Sequence, residues 1–454
     1  MRVLCTCPLW LGNDDLRAYA QEEDAMLDSF FQLTKNRTTV RQEVIAGVTT
    51  FLTMSYVIFV NPSILADAGM DKGAVFVATC FAAVIGTLIM GVVANYPVAL
   101  APGMGLTAFF TYTVVLGMGV AWQTALGAVF ISGVVFLVLS ILPVREWLIN
   151  SIPRTLKVAI AGGIGFFLAI IGLKNTGIIV AHPSTLVSAG SLTEPTVVLS
   201  VLAFALMAAL HFRRIPGAIL ISILAATGAG VMLQLTPVPG FVSRPPSLAP
   251  TLLQMDVPGA LEMGLLAVIF TFVLTDLFDS AGTLVGVTQG AGMVDKQGRL
   301  PRLKNALFAD SSATIAGSVL GTSTTTSYVE SLAGVEAGGR TGLTAVTVAV
   351  LFLLSLFFAP LAGAIPSYAT APALVFVACL MAKNLKDINW DDLTEYIPAV
   401  ITMLAMPLTF SIATGIGFGF ISYALIKTLS FRLRDLSPSV LTVSGLFLIK
   451  FIVG

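Results

Sequence analysis

Gly321-Thr-Ser-Thr-Thr-Thr-Ser-Tyr-Val-Glu330-Ser-Leu-Ala-Gly334 decides how this chain is read. It sets a run of hydroxyls, a tyrosine and a carboxylate in a chain of 454 residues that is 56% hydrophobic and only 11% charged. Soluble domains carry roughly 25% charged residues, and the mean hydropathy here is +0.94. The composition is that of a polytopic, all-α membrane protein. A lipid-facing helix cannot hold a stretch this polar, whereas a broken helix lining a binding site can.

Working outward, apolar runs of spanning length are expected near 44–65, 74–95, 98–118, 122–142, 155–173, 195–211 and 215–234. They resume near 262–286, 305–320, 323–338, 341–358, 368–383, 395–410 and 412–430. Between the two sets, Thr236-Pro-Val-Pro-Gly240 and Arg244-Pro-Pro-Ser rule out a buried helix. The expected organisation is a cytoplasmic tail (1–39), a seven-span unit (40–235), an extracytoplasmic connector (236–261), a second seven-span unit (262–431) and a C-terminal tail with an interfacial helix (432–454). The segment before Met26 is expected to be dispensable or to reflect an upstream start. Basic residues gather on one side, at Lys35, Arg37 and Arg41, at Arg145, Arg154 and Lys157, at Arg213 and Arg214, at Lys296, Arg299, Arg302 and Lys304, and at Lys427, Arg432 and Arg434. That places both termini in the cytoplasm. Duplicating a unit with an odd number of spans gives inverted repeats. Polar interruptions fall in the third span of each half, at Ala101-Pro-Gly-Met-Gly-Leu-Thr107 and at Thr322–Ser327. Proline and glycine are common in membrane helices, but their recurrence at matching positions points to a transport site. A short strand is expected in the hydroxyl run, leading into a helix from about Tyr328.

Acids inside spans are costly and therefore few. Asp276 and Asp279 lie three apart on one face of the eighth span, Asp310 is in the ninth and Glu330 in the tenth. Each could also serve only as a hydrogen-bonding tie between helices. No Lys or Arg sits mid-span beside them, which argues against sulfate or bicarbonate as cargo. Carboxyls in such surroundings can exchange protons and can accept N–H bonds from a flat, neutral solute. Glu330 can take two neighbouring N–H groups of a purine, Asp276 another edge, and Phe109, Phe110, Tyr112, Phe278 and Tyr328 offer faces for stacking.

Other function classes find little support. A formal net charge of zero provides no basic footprint for nucleic acid. Two histidines and four cysteines without ligand spacing suggest neither a metal nor an enzyme. Ala161-Gly-Gly-Ile-Gly165 has neither the dinucleotide nor the P-loop spacing and reads as close helix packing.

Several separated motifs, in order, resemble the AzgA-like branch of the nucleobase:cation symporters. They are Thr49-Thr-Phe-Leu-Thr-Met-Ser-Tyr, Ala101-Pro-Gly-Met-Gly-Leu-Thr-Ala-Phe-Phe, Leu277-Phe-Asp-Ser-Ala-Gly-Thr-Leu, Tyr328-Val-Glu-Ser and Gly338-Gly-Arg-Thr-Gly-Leu-Thr-Ala. The resemblance covers about residues 36–435. It implies import of adenine, guanine and/or hypoxanthine by proton symport across a bacterial inner membrane, with no cofactor beyond the proton gradient. It also implies about 14 helices in two inverted seven-helix repeats, a core and a gate domain, and short facing strands in helices 3 and 10. On these motifs Glu330 and Asp276 bind substrate, with Thr107, Phe278, Tyr328 and Thr326 around them, while Asp279 and Asp310 couple the proton. Thr107 stands where many members have Asn. A uracil/xanthine-type carrier, sodium coupling and a homodimer remain open alternatives, and the preferred purine is undetermined.

Overall fold

The computed structural model describes residues 26–141, 153–238, 240–261, 265–293 and 300–453. The head before Met26, with Cys5 and Cys7, and the basic residues Arg145, Lys296 and Arg299 lie outside the described residues. The chain is mainly helical. Among the described residues nine helices are long and apolar enough to cross a membrane.

The first apolar run is two helices, α1 (Val40–Met54) and α2 (Val57–Asp67), broken at Ser55–Tyr56. α3 (Lys72–Ile89) follows. The third run is not a plain helix. It holds strand β1 (Leu100–Pro102), then α4 (Met104–Ala108), which continues as a π-helical segment over Phe109–Val115. α5 (Trp122–Ile141) and α6 (Arg154–Asn175) come next. A hairpin of β2 (Ile179–His182) and β3 (Leu186–Ala189), absent from the sequence reading, links α6 to α7 (Pro195–Phe212). Its strands are β-branched around a Pro-Ser-Thr turn, a short-range signal that apolar spans on either side overshadow. α8 (Ala218–Met232) closes the first half.

The second half runs through α9 (Leu266–Gly290) and α10 (Leu303–Leu320) to β4 (Thr325–Ser327). The helix after it, α11 (Ser331–Glu336), starts three residues later than the Tyr328 expected. Tyr328 is still tied to the ribbon through its N–H on Ala99 O, and the chain then passes through i+3 turns, with Ser331 N on Tyr328 O, Leu332 N on Val329 O and Ala333 N on Glu330 O, before the α-helix begins. Then come α12 (Gly342–Ser355), α13 (Ser367–Ala382), α14 (Leu393–Thr409), α15 (Ile412–Leu429) and α16 (Pro438–Val453). Side-chain caps mark many starts. Thr39, Asp71, Thr341, Asp392 and Ser411 each accept from an N–H in the first turn that follows.

Packing sorts the helices into two groups. In one, α10 lies on α3 and α5, α12 lies on α1 and α3, and α9 lies on α5. In the other, α6 lies on α13 and α14, and α7 lies on α8 and α13. The glycines of Ala161–Gly165 serve the second group. A Cβ on Gly162 would come within 2.5 Å of Leu385, and one on Gly163 within 2.5 Å of the Met406 sulfur. The tail helix α16 runs antiparallel along α15. Ser444 Oγ donates to Phe420 O at 2.9 Å, and Gly417 admits the rings of Phe447 and Phe451.

Candidate substrate-binding site

The two polar interruptions meet. β1 and β4 form an antiparallel ribbon in the register Leu100↔Ser327, Ala101↔Thr326 and Pro102↔Thr325. Gly103 N donating to Thr324 O and Tyr328 N donating to Ala99 O, both at 2.9 Å, extend it at each end. Buried strands leave outward-facing N–H and C=O groups that lipid cannot satisfy. Hydroxyls satisfy them here. Thr87 of α3 accepts from Leu100 N at 2.9 Å and donates to Leu100 O at 3.0 Å, while Thr314 of α10 donates to Thr325 O at 2.9 Å. A two-stranded ribbon thereby persists in an apolar interior. The short helices α4 and α11 both start from it.

The four acids cluster around this ribbon and divide into two pairs by burial only, since Asp279 lies within electrostatic reach of the other three. Asp276 and Asp310 are almost wholly buried and lie within electrostatic reach of each other. Asp310 accepts from Ser327 Oγ at 3.0 Å and from Ser280 Oγ, and Ser280 is in turn bonded to Thr326 Oγ1 at 2.8 Å. Asp276 Oδ2 accepts from Thr314 Oγ1 at 3.2 Å, and its Oδ1 is buried without a hydrogen-bond partner among the described residues. Glu330 and Asp279 form the other pair. Both are half-buried, and they too lie within electrostatic reach of one another. Glu330 Oε1 accepts from Tyr56 Oη at 2.7 Å. Among the described residues no Lys or Arg forms an ion pair with any of the four acids. Asp276 and Asp310 are thus held in a buried hydroxyl network, while Glu330 and Asp279 are less deeply buried.

The remaining sequence candidates fall as follows. Thr326 is part of the ribbon and of the Asp310 network. Tyr328 is buried, and its hydroxyl donates to Pro102 O at 2.5 Å, clamping β1 to β4. Thr107 is fully buried, its hydroxyl donating to Asn61 Oδ1 at 2.8 Å and meeting Ser323 Oγ at 2.5 Å. Phe278 lies in α9, and its side chain is outside the described residues. Phe109 packs edge-on against Phe272, with centroids 5.1 Å apart. Tyr112 instead donates to Asp67 Oδ2 at 2.7 Å, toward the far end of α2, and accepts from Asn175 Nδ2 at 3.3 Å.

Three participants escaped the sequence reading. Tyr56 holds Glu330, Asn61 binds Thr107, and Ser280 bridges Asp310 to Thr326. Tyr56 and Ser280 lie inside the motifs Thr49–Tyr56 and Leu277–Leu284 without standing out as site residues there, and Asn61 is an amide inside the apolar run Tyr56-Val-Ile-Phe-Val-Asn-Pro. Tyr56 sits at a helix break with neither glycine nor proline to mark it.

Comparison with known proteins identifies the family and the fold. The chain is 52% identical over 427 residues to adenine permease AdeP of Escherichia coli (strain K12), covering 94% of this chain and 96% of that protein. It is 45% identical over 434 residues to guanine/hypoxanthine permease PbuO of Bacillus subtilis (strain 168), covering 93% and 100%. Among solved structures, the transmembrane domain of the cyanobacterial bicarbonate transporter BicA has the same fold, with a TM-score of 0.63 at 14% identity over 82% of this chain and 97% of that one. Residues 41–418 match the pattern of the Permease family, Xan_ur_permease, and with relatives of such identity along almost its whole length the chain belongs to that family.

Proposed function

We propose that this protein is a secondary active transporter that imports purine nucleobases, adenine, guanine and/or hypoxanthine, by proton symport across the bacterial inner membrane. One observation carries the reading: the Glu330 carboxylate, half-buried beside the β1–β4 ribbon and free of any Lys or Arg partner among the described residues, presents acceptors without a balancing cation. Such a site favours a neutral solute with adjacent N–H donors over an anion. The relatives named as adenine and guanine/hypoxanthine permeases support the purine among such solutes. On this reading the purine edge replaces the Tyr56 hydroxyl at Glu330, and Asp279 faces it from α9. Asp276 approaches from behind the ribbon. Asp310 senses the site through Ser280 and Thr326, and Asp279 and Asp310 carry the coupled proton.

The architecture we propose has about 14 helices in two inverted seven-helix repeats, residues 40–235 and 262–431, joined by an extracytoplasmic connector. The group containing α9, α10 and both strands is the core that holds substrate, and the group built on α6, α13 and α14 is the gate. The N-terminus and the start of α16 lie on the cytoplasmic side, where the basic loops gather.

The test is uptake of radiolabelled adenine, guanine and hypoxanthine in cells lacking their own purine permeases. Uptake is expected for at least one purine, to collapse with a protonophore, and to disappear in Glu330→Ala at unchanged surface expression. Wild-type rates in Glu330→Ala would overturn the site, and competition by excess uracil or xanthine in place of purines would assign the uracil/xanthine-type carrier instead.

A further inference from the structure

Asn61 of α2 joins more of the surrounding elements than any of the four site acids does. Its side chain is completely buried. Nδ2 donates to Thr79 Oγ1 of α3 at 2.8 Å and to Thr322 Oγ1 at 2.9 Å, while Oδ1 accepts from Thr107 Oγ1 of α4 at 2.8 Å. The amide orientation follows from its neighbours. Thr79 Oγ1 gives its proton to Val75 O, so toward Asn61 it can only accept. Thr107 gives its proton to Asn61, so the 2.5 Å contact with Ser323 must have Ser323 as donor. Both amide hydrogens and the carbonyl are used, and among the described residues Asn61 is the only partner of the Thr322 hydroxyl.

Five residues earlier, at the N-cap of α2, Tyr56 donates to Glu330. The first span therefore grips the second half of the chain at two points on either side of the ribbon. Asn61 holds Thr322 just before β4, and Tyr56 holds Glu330 just after it. At about 1.5 Å rise per residue, the turns between them form a rigid gauge of ~7–8 Å. Sliding α2 along the ribbon would move both grips together.

We propose that Asn61 is a positioning residue for substrate recognition: it locks α2 in register with the β1–β4 ribbon and so sets where Tyr56 holds the Glu330 carboxylate. This rests on the purine-transport reading for its kinetic test. Asn61→Ala removes the gauge's far anchor. It removes three hydrogen bonds and is expected to raise KM for purine by at least about fivefold, with Vmax per surface transporter within about twofold and the order of purine preference altered. Thr322→Val, a milder change, should give the same direction, and the double variant should be no worse than Asn61→Ala alone. A purely structural Asn61 would instead lower surface expression and Vmax at unchanged KM and preference, and that result would overturn the proposal.

A second measurement needs no substrate. In a background without the four native cysteines, Val329→Cys, at an exposed neighbour that leaves the Tyr56–Glu330 bond in place, is labelled with a small thiol reagent with and without Asn61→Ala. Loss of register is expected to change the labelling rate several-fold, and an unchanged rate would sink the proposal. If the wild type takes up no purine at all, the functional reading fails by itself, and the labelling still decides the role of Asn61.

Discussion

Glu43 shows how much a single side chain can do out of sight. It lies in the first turn of α1, close to the basic lead-in, and looks in sequence like one more surface acid. In the fold it is completely buried at the start of α12. Oε1 accepts from Arg340 N at 2.9 Å, and Oε2 accepts from Thr341 N and Thr344 N, both at 3.2 Å, and from Thr344 Oγ1 at 2.6 Å. A helix start leaves N–H groups unpaired, and a carboxylate there answers both the hydrogen bonds and the dipole. Glu43→Ala strands those donors in a dry interior. It is expected to lower stability by about 2–3 kcal/mol, seen as a lower Tm for purified protein in detergent, with Glu43→Gln intermediate because one acceptor oxygen survives. Asp310→Asn is a parallel case inside the site. Its amide can accept from Ser280 or Ser327 but not from both, so uptake is expected to fall at least about tenfold, the effect of one net hydrogen bond, while surface expression holds. Near-normal uptake would remove Asp310 from the coupling network.

At the level of elements, the ribbon depends on close approach. A Cβ on Gly103 would lie 2.7 Å from Thr326 Cγ2, inside any normal contact, so Gly103→Val must part β1 from β4. Loss of uptake is expected with membrane insertion retained, and normal purine uptake by that variant would show that transport does not need the paired strands. These elements also show what can be read from a linear chain. Pro102 and Gly103 advertise an interruption because one lacks a donor and the other a side chain, and the acids 276, 279, 310 and 330 stand out because charge is expensive among apolar neighbours. Their convergence on one ribbon follows the pattern of matching interruptions in the two halves. Other parts leave little trace. Which three residues of the hydroxyl run form β4 is set by the partner strand that pairs with them. The break at Ser55–Tyr56 follows from tertiary packing and no local residue signals it. The partners of a hydroxyl such as Thr87 or Thr314 are set by neighbours far away in sequence, and a hydroxyl bonded to its own helix looks the same in one dimension.

For the whole molecule, the two helix groups touch through few polar contacts, and two of these involve the π-helical segment after α4. Tyr112 accepts from Asn175 at the end of α6, and Thr113 Oγ1 donates to Phe410 O, between α14 and α15, at 2.6 Å. Both lie toward the side opposite the basic loops, which is the outer face in the topology proposed above, and there they brace the boundary. Tyr112→Phe combined with Asn175→Ala is expected to shift the population toward an outward-open form about fivefold, one net hydrogen bond's effect. Labelling of Asp67→Cys by a membrane-impermeant maleimide would report it, and an unchanged rate would show that apolar packing alone closes that side. The ribbon has one more consequence, for synthesis rather than transport. Tyr328 and the Pro102 carbonyl it binds are 226 positions apart. At roughly 5–20 residues per second, the ribosome needs about 10–50 seconds to supply the partner that β1 lacks. Through that interval the nascent first half holds an exposed strand edge inside the bilayer, where water cannot cover it. A chain halted before residue 325 is therefore expected to be recognised as unfinished by membrane proteases, and the second half acts as the template that completes the first.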